Sequence, residues 1–387
     1  MKTTAQPFNF DEILPRSNGD SMKWNQYPAD VLPLWVADMD FKAPEAVINA
    51  LQERVAQGVY GYPNESEELR SAAVDWLAGR FAWKVSPEAI ILLPGVVNGF
   101  NLACQAVAQP GDGVLIQTPV YPPFLRVAGY AGAQQQKVEL APNAAGHYGV
   151  DFDRFEAGFT NRTRAFLLCS PHNPVGRVWQ RSELERMAAV CAERDVVICS
   201  DEIHADLVFS ESRHIPIASL NAETAQRTIT LIAPSKTFNI PGLGCSMAII
   251  ENETLRRQFM HARRGLVGEV NLLGQTAALA AYRHGAAWLE AALQYMQANR
   301  DFLVKTIQDE LPQLHIDSPE GTYLAWIDCR DAGLAVNPHV HFLEKARVAL
   351  NDGAWFDKNG EGFVRLNFAC PRSILEEALS RMVKSLH

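Results

Sequence analysis

Four polar residues stand just past four short apolar runs. Tyr121 follows the run 113–117, Asn173 the run 164–170, Asp201 the run 196–200 and Lys236 the run 228–233. A lysine in such a place is unusual, because lysine is seldom buried without a partner. A neutral lysine amine attacks carbonyl carbon, a buried acid pairs with a cation, and a tyrosine stacks on a ring. A fifth feature is Pro94-Gly95-Val96-Val97, where a glycine opens a helix. The free N–H groups and positive dipole end of such a helix suit a phosphate.

Competing readings of the same residues fail on their own terms. Ser235-Lys236-Thr237 mimics the tail of a P-loop, but Thr230 and Ser235 stand where that loop needs glycines. Asp201-Glu202-Ile203-His204 has the form of a helicase box, which means little without the P-loop. Gly242-Leu243-Gly244 lacks the third glycine of a dinucleotide fingerprint. His339-x-His341 has no third ligand in view, so the sequence predicts no metal site. What remains is a lysine able to form a Schiff base, an acid to face a pyridine nitrogen, an aromatic lid and a phosphate seat. Those are the parts that pyridoxal 5'-phosphate requires.

Elements must bring these residues together. Between residues 90 and 250 the apolar runs are separated by amphipathic helical stretches such as 181–194, which Ser182-x-x-Glu185 would open. Continuous apolar strands alternating with helices predict an α/β fold, with a parallel sheet covered on both faces. Ligands of such sheets lie at the carboxyl ends of the strands, where the four polar residues fall. Upstream, 44–58 and 67–81 read as helices. Pro44 suits a first helical position, Val47, Ile48, Leu51 and Val55 form one apolar face, and Asn64-x-x-Glu67 offers a capping box for the second helix. Pro7, Pro15, Pro28 and Pro33 discourage a long helix before residue 40. After about residue 285 a long helix, strands over 322–328 and 362–367 and a helix from Ser373 read as a smaller α+β domain. The predicted division is 1–45 as an N-terminal segment contributing to the small domain, 46–285 as the large domain and 286–387 as the small one.

Composition narrows the function classes. The chain has 387 residues and a net charge of −9, which argues against nucleic acid or anionic membrane as a partner. Its seven cysteines include no C-x-x-C pair, and an odd count fits free thiols in a reducing compartment. The first 17 residues lack the apolar core of a signal peptide, and no apolar run reaches bilayer length, so a cytoplasmic location is expected.

Longer motifs carry a resemblance. PHNPVG (171–176), SDEIHAD (200–206) and APSKTFNIPGLG (233–244) resemble the aminotransferase class I/II superfamily, the fold type I pyridoxal-phosphate enzymes. WVADMDF (35–41), VYGYP (59–63), TPVYPPF (118–124) and FVRLNFACPR (363–372) resemble its MalY/PatB-type cystathionine β-lyase, or C–S lyase, branch. The resemblance implies roles. Lys236 would hold the cofactor and move protons at Cα. Asp201 would pair with the pyridine nitrogen, Asn173 would bond the phenolic oxygen, with His204 behind it, and Tyr121 would stack on the ring. Gly95, the N–H groups of Val96 and Val97, and the Ser235 hydroxyl would seat the phosphate. Tyr62 would reach the phosphate of a neighbouring subunit, making a homodimer with shared sites. Arg365 would grip the carboxylate of an amino-acid substrate, with Asp38 also at the substrate. Ala233 and Gly244 depart from the wider superfamily, where Ser and Arg are common, so phosphate binding should lean on backbone and helix dipole. The implied reaction is β-elimination from L-cystathionine or a related S-substituted cysteine. The alternatives are an aminotransferase, and a regulatory or binding protein on the same scaffold.

Overall fold

The computed structural model describes residues 8–17, 19–143 and 146–386. Pro7 and the rest of residues 1–7 lie outside the described residues, as does the chain's last residue. Seven strands form one sheet: β1 Ile90–Leu93, β2 Gly113–Thr118, β3 Gln134–Glu139, β4 Thr163–Cys169, β5 Val197–Asp201, β6 Thr228–Ile232 and β7 Ser246–Ile249. Their order across the sheet is β1-β7-β6-β5-β4-β2-β3. Only β7 runs antiparallel to its neighbours, so the sheet is mostly parallel.

Helices cover both faces, which is why residues of β1, β2, β6 and β7 are buried throughout. Helix Val96–Val107 packs on one face through Phe100, Leu102 and Ala103. Helix Arg181–Glu193 packs on the other through Leu184, Met187 and Cys191. A fully buried leucine or phenylalanine contributes about 1.5–3 kcal/mol. The four strands anticipated from apolar runs end within one residue of expectation. The edge strand β3 was not anticipated: its sequence QQQKVE is polar because one side of it meets solvent.

Local start signals were less legible. Pro44 is the N-cap of helix Glu45–Ala56 and lies outside its first turn, and Val55 is exposed. Helix Glu67–Phe81 is capped by the Ser66 hydroxyl, which accepts from Leu69 N–H, and Asn64 takes no part. Helix Arg181–Glu193 is boxed by Gln180 and Glu183, two residues before the Ser182–Glu185 pair. In the latter two helices a neighbouring polar residue with extended backbone geometry takes the cap.

A second, four-stranded antiparallel sheet follows: β8 His315–Ile316, β9 Leu324–Asp328, β10 Asn351–Asp352 and β11 Phe363–Asn367, ordered β8-β9-β11-β10. Helices Ala286–Glu310 and Arg372–Leu386 pack beside it. The N-terminal segment joins here, with Leu32–Pro33 pairing in parallel with Val348–Ala349. No helix among the described residues is long and apolar enough to cross a membrane.

Candidate active site

The parallel strands share a direction, so Tyr121, Asn173, Asp201 and Lys236 emerge at one edge of the sheet. A cavity of about 640 Å³ opens there. Its wall includes Asp38, Gly95, Val96, Val97, Tyr121, Asn173, Asp201, His204, Ser235, Lys236 and Arg365, every site residue anticipated from sequence except Tyr62. Tyr62 is fully exposed, on the irregular stretch before helix Glu67–Phe81.

Lys236 sits in a one-turn helix, Pro234–Thr237, directly after β6. Its Nζ donates to the Ala37 carbonyl, which also accepts from the buried Tyr323 hydroxyl at 2.9 Å. Burial pushes the ammonium down to about 8, because desolvation disfavours its charge; Arg365 adds to this while Asp38 and Asp201 oppose it. Asp201 is the last residue of β5 and is buried. Desolvation raises its carboxyl to about 7, against a hydrogen bond of 3.1 Å from Ile203 N–H. A buried carboxylate this short of compensation is a seat for a cation.

Arg365 lies in β11, opposite Trp326 of β9. Its guanidinium donates to Asn173 Oδ1 and the Trp35 carbonyl, both at 3.0 Å, and to Asn351 Oδ1 at 2.5 Å. It also stands 4.8 Å from the centre of the Phe356 ring, while Nε has no partner among the described residues. Three of its five donors are thus spent on aiming the guanidinium, and the unpartnered Nε–H is left to meet a carboxylate. Asn351 and Tyr323 escaped the sequence reading, because nothing in their local sequence marks them. Strand pairing sets Asn351 beside Arg365, and the N-terminal segment brings Ala37 to Tyr323.

Asp38 belongs to a charged cluster in the N-terminal segment. Arg16 reaches Asp38 at 2.8 Å and Asp40 at 2.6 Å, and the buried Lys23 ammonium reaches Asp40 at 2.7 Å. The cluster fixes residues 36–41, of which Val36, Ala37 and Asp38 line the cavity, helped by Asn239, which donates to the carbonyls of Met39 and Phe41.

Helix Val96–Val107 starts at the cavity, and its N-cap, Gly95, has no side chain to satisfy the first-turn N–H groups. Beside it Gly244 takes φ +58, and a Cβ there would stand 3.3 Å from the Pro94 carbonyl. A longer residue at 244 would therefore be strained and would press on the entry to this helix. His204 is buried with Nδ1 unpartnered among the described residues, and burial holds it neutral, down to about 3. An open helix start, a carboxylate wanting a cation, an amine whose pKa is lowered by burial and unpartnered polar atoms facing one space fit pyridoxal phosphate.

A family model for aminotransferase class I and II matches residues 29–382. Cystathionine β-lyase PatB of Bacillus subtilis is 38% identical, covering 98% of this chain and all of its own. The crystal structure of OvoB superposes with a TM-score of 0.94 at 44% identity, covering 98% of this chain and 99% of its own. Cystalysin from Treponema denticola, solved with pyridoxal 5'-phosphate, gives 0.94 at 34% identity, covering 98% of each chain. Sequence, sheet order and cavity agree, and the chain belongs to the aminotransferase class I and II family, with the fold type I architecture of pyridoxal-phosphate-dependent enzymes.

Proposed function

We propose that this chain is a pyridoxal-phosphate-dependent C–S lyase that converts L-cystathionine, or a related S-substituted cysteine, and water to a thiol, pyruvate and ammonia. The observation that carries this is the convergence of Lys236, Asp201, Asn173 and Arg365 on one cavity. The relatives named as cystathionine β-lyases favour elimination over the aminotransferase alternative.

When bound, pyridoxal phosphate supplies an electron sink for charge developing at the substrate's Cα. Lys236 would hold the cofactor and would take the proton from the substrate's Cα. Its lowered pKa keeps a useful fraction of the amine neutral near pH 8. Arg365 binds the α-carboxylate and so orients the Cα–H bond toward Lys236. Asp201 would pair with the protonated pyridine nitrogen, a cation that would draw its carboxyl back toward the ordinary ionised state. Asn173, fixed through Oδ1 by Arg365, offers its amide N–H to the phenolic oxygen, with His204 behind it. Tyr121 covers the ring. Gly95, Val96 and Val97 seat the phosphate with Ser235. Asp38 holds the wall beside the substrate.

We assign Tyr62 to the site of a second copy of the chain in a homodimer. Support comes from its full exposure, with Val59, Tyr60 and Val97 also exposed. The two sheets support a division into 46–285 and 286–387, the pairing of Leu32–Pro33 with Val348–Ala349 supports joining 1–45 to the latter, and seven unpaired thiols suit the cytoplasm. The deciding experiment incubates purified holoenzyme with cystathionine and no keto acid. Pyruvate and free thiol in equal amounts are expected. Product formed only after a keto acid is added would make the chain an aminotransferase, and no turnover with bound cofactor would make it a binding protein.

A further inference from the structure

The helix that carries Lys236 is four residues long, and its N-cap, Ala233, has no capping side chain. One helical turn does not hold itself together in water, because nucleation costs more than one bond returns. Its position must come from outside. Behind it, away from the cavity, lies Asp206, a buried carboxylate to which the lyase chemistry assigns nothing.

Asp206 Oδ2 accepts from the hydroxyl of Thr237, the residue next to Lys236, at 3.0 Å. Its Oδ1 accepts from Trp76 Nε1 at 3.1 Å, and Arg80 Nε stands 3.5 Å away. Arg80 also donates to the Asp206 carbonyl at 3.2 Å. Trp76 and Arg80 both belong to helix Glu67–Phe81, so one carboxylate joins that helix to the lysine's turn. Thr237 is wholly buried and has no solvent to replace a lost acceptor. Asp206 is also tied to Asp201, five residues earlier. The segment between them is closed by Ile203 N–H on Asp201 Oδ1 and by Ala205 N–H on the Glu202 carbonyl. One short, internally bonded segment thus presents an acid to the cavity at one end and grips the lysine's helix at the other.

We propose that Asp206 is a positioning residue, acting through the Thr237 hydroxyl to set the distance between Lys236 and the group held by Asp201. This rests on the assignment of Lys236 as the cofactor lysine, but not on which reaction follows. A displacement of about 1 Å at a reacting group costs on the order of a hundredfold in rate, so a hydrogen bond that fixes a backbone turn is worth keeping even though it buries a charge.

The test uses Thr237→Val, which removes the hydroxyl at constant shape, and Thr237→Ser, which keeps it. The first readout needs no substrate: the rate at which apoprotein captures free pyridoxal phosphate, followed by the rise of its visible absorbance. The second is the split between kcat and KM in the pyruvate assay. Thr237→Val should slow capture by about tenfold or more and lower kcat similarly, with KM within about twofold. Thr237→Ser should restore both. In a double-mutant cycle, Asp206→Ala with Thr237→Val should cost no more than Asp206→Ala alone. Should Asp206→Ala fail to fold, the two threonine variants carry the test by themselves. An unchanged capture rate in folded Thr237→Val overturns the proposal whatever happens to turnover, and so does a slow capture that Thr237→Ser fails to rescue. A chain that captures cofactor through Lys236 yet releases no pyruvate would sink the lyase reading and leave this one standing.

Discussion

Lys236 and Arg365 act on each other as well as on ligands. Burial, with the Arg365 charge adding to it, holds the lysine amine down to about 8, well below its ordinary 10.5. Only the neutral amine attacks a carbonyl, so capture of pyridoxal phosphate by the apoprotein should climb as pH rises through about 8 and then level off. Arg365→Met removes a positive neighbour, so the amine should hold its proton to higher pH and the midpoint should move upward. The same variant should lose about 3 kcal/mol of transition-state binding, roughly a hundredfold in kcat/KM, because a charge-assisted fork to the carboxylate is gone. Stopped-flow capture rates across pH 6–10, with Lys236→Ala as the blank, check both signs. A midpoint that stays put or falls in Arg365→Met would show that the guanidinium does not govern the lysine.

Elements explain what the sequence could and could not announce. Tyr121, Asn173, Asp201 and Lys236 were legible because a parallel sheet turns a one-dimensional pattern, an apolar run followed by a polar residue, into a common edge. Asn351, Tyr323 and Asp206 were not, since each is defined by a partner far along the chain: Arg365, Ala37 and Thr237. Helix starts were misjudged by one or two residues because several candidate caps stand side by side, and backbone geometry chooses among them. Packing between elements was equally silent. Gly274 in helix Leu272–His284 lies against the turn that follows the lysine's helix, and a Cβ there would stand 2.4 Å from the Leu243 carbonyl. Gly274→Ala must therefore push backbone against backbone. We expect a loss of about 1–3 kcal/mol or more, read as a lower thermal midpoint, together with weaker cofactor retention, since the displaced turn leads to Gly244 at the cavity. A variant as stable as the parent would mean that the helix slides freely.

At the scale of the whole molecule the decisive residue is the one the cavity omits. Tyr62 is exposed and does not line the cavity of its own subunit, so the proposed homodimer makes a specific demand. Lys236→Ala and Tyr62→Ala chains, each nearly inactive alone, should regain activity when mixed and allowed to exchange subunits. Half the dimers then carry one site with both residues intact, giving about a quarter of the parent's sites. Mixtures that stay inactive, or a parent that runs as a monomer in light scattering, would remove Tyr62 from catalysis.

The seven cysteines, all buried and unpaired, acquire a meaning from that chemistry. A C–S lyase floods its own surroundings with thiols, and thiols in air become disulfides that trade partners with any accessible thiolate. Cys169 and Cys245 stand in the cavity wall itself, where the leaving group is freed. Burial presses both toward the unreactive protonated form, Cys245 up to about 12 and Cys169 higher still. Held protonated, these two thiols are poor nucleophiles toward such disulfides, so the cavity wall offers the released sulfur compound little to cap.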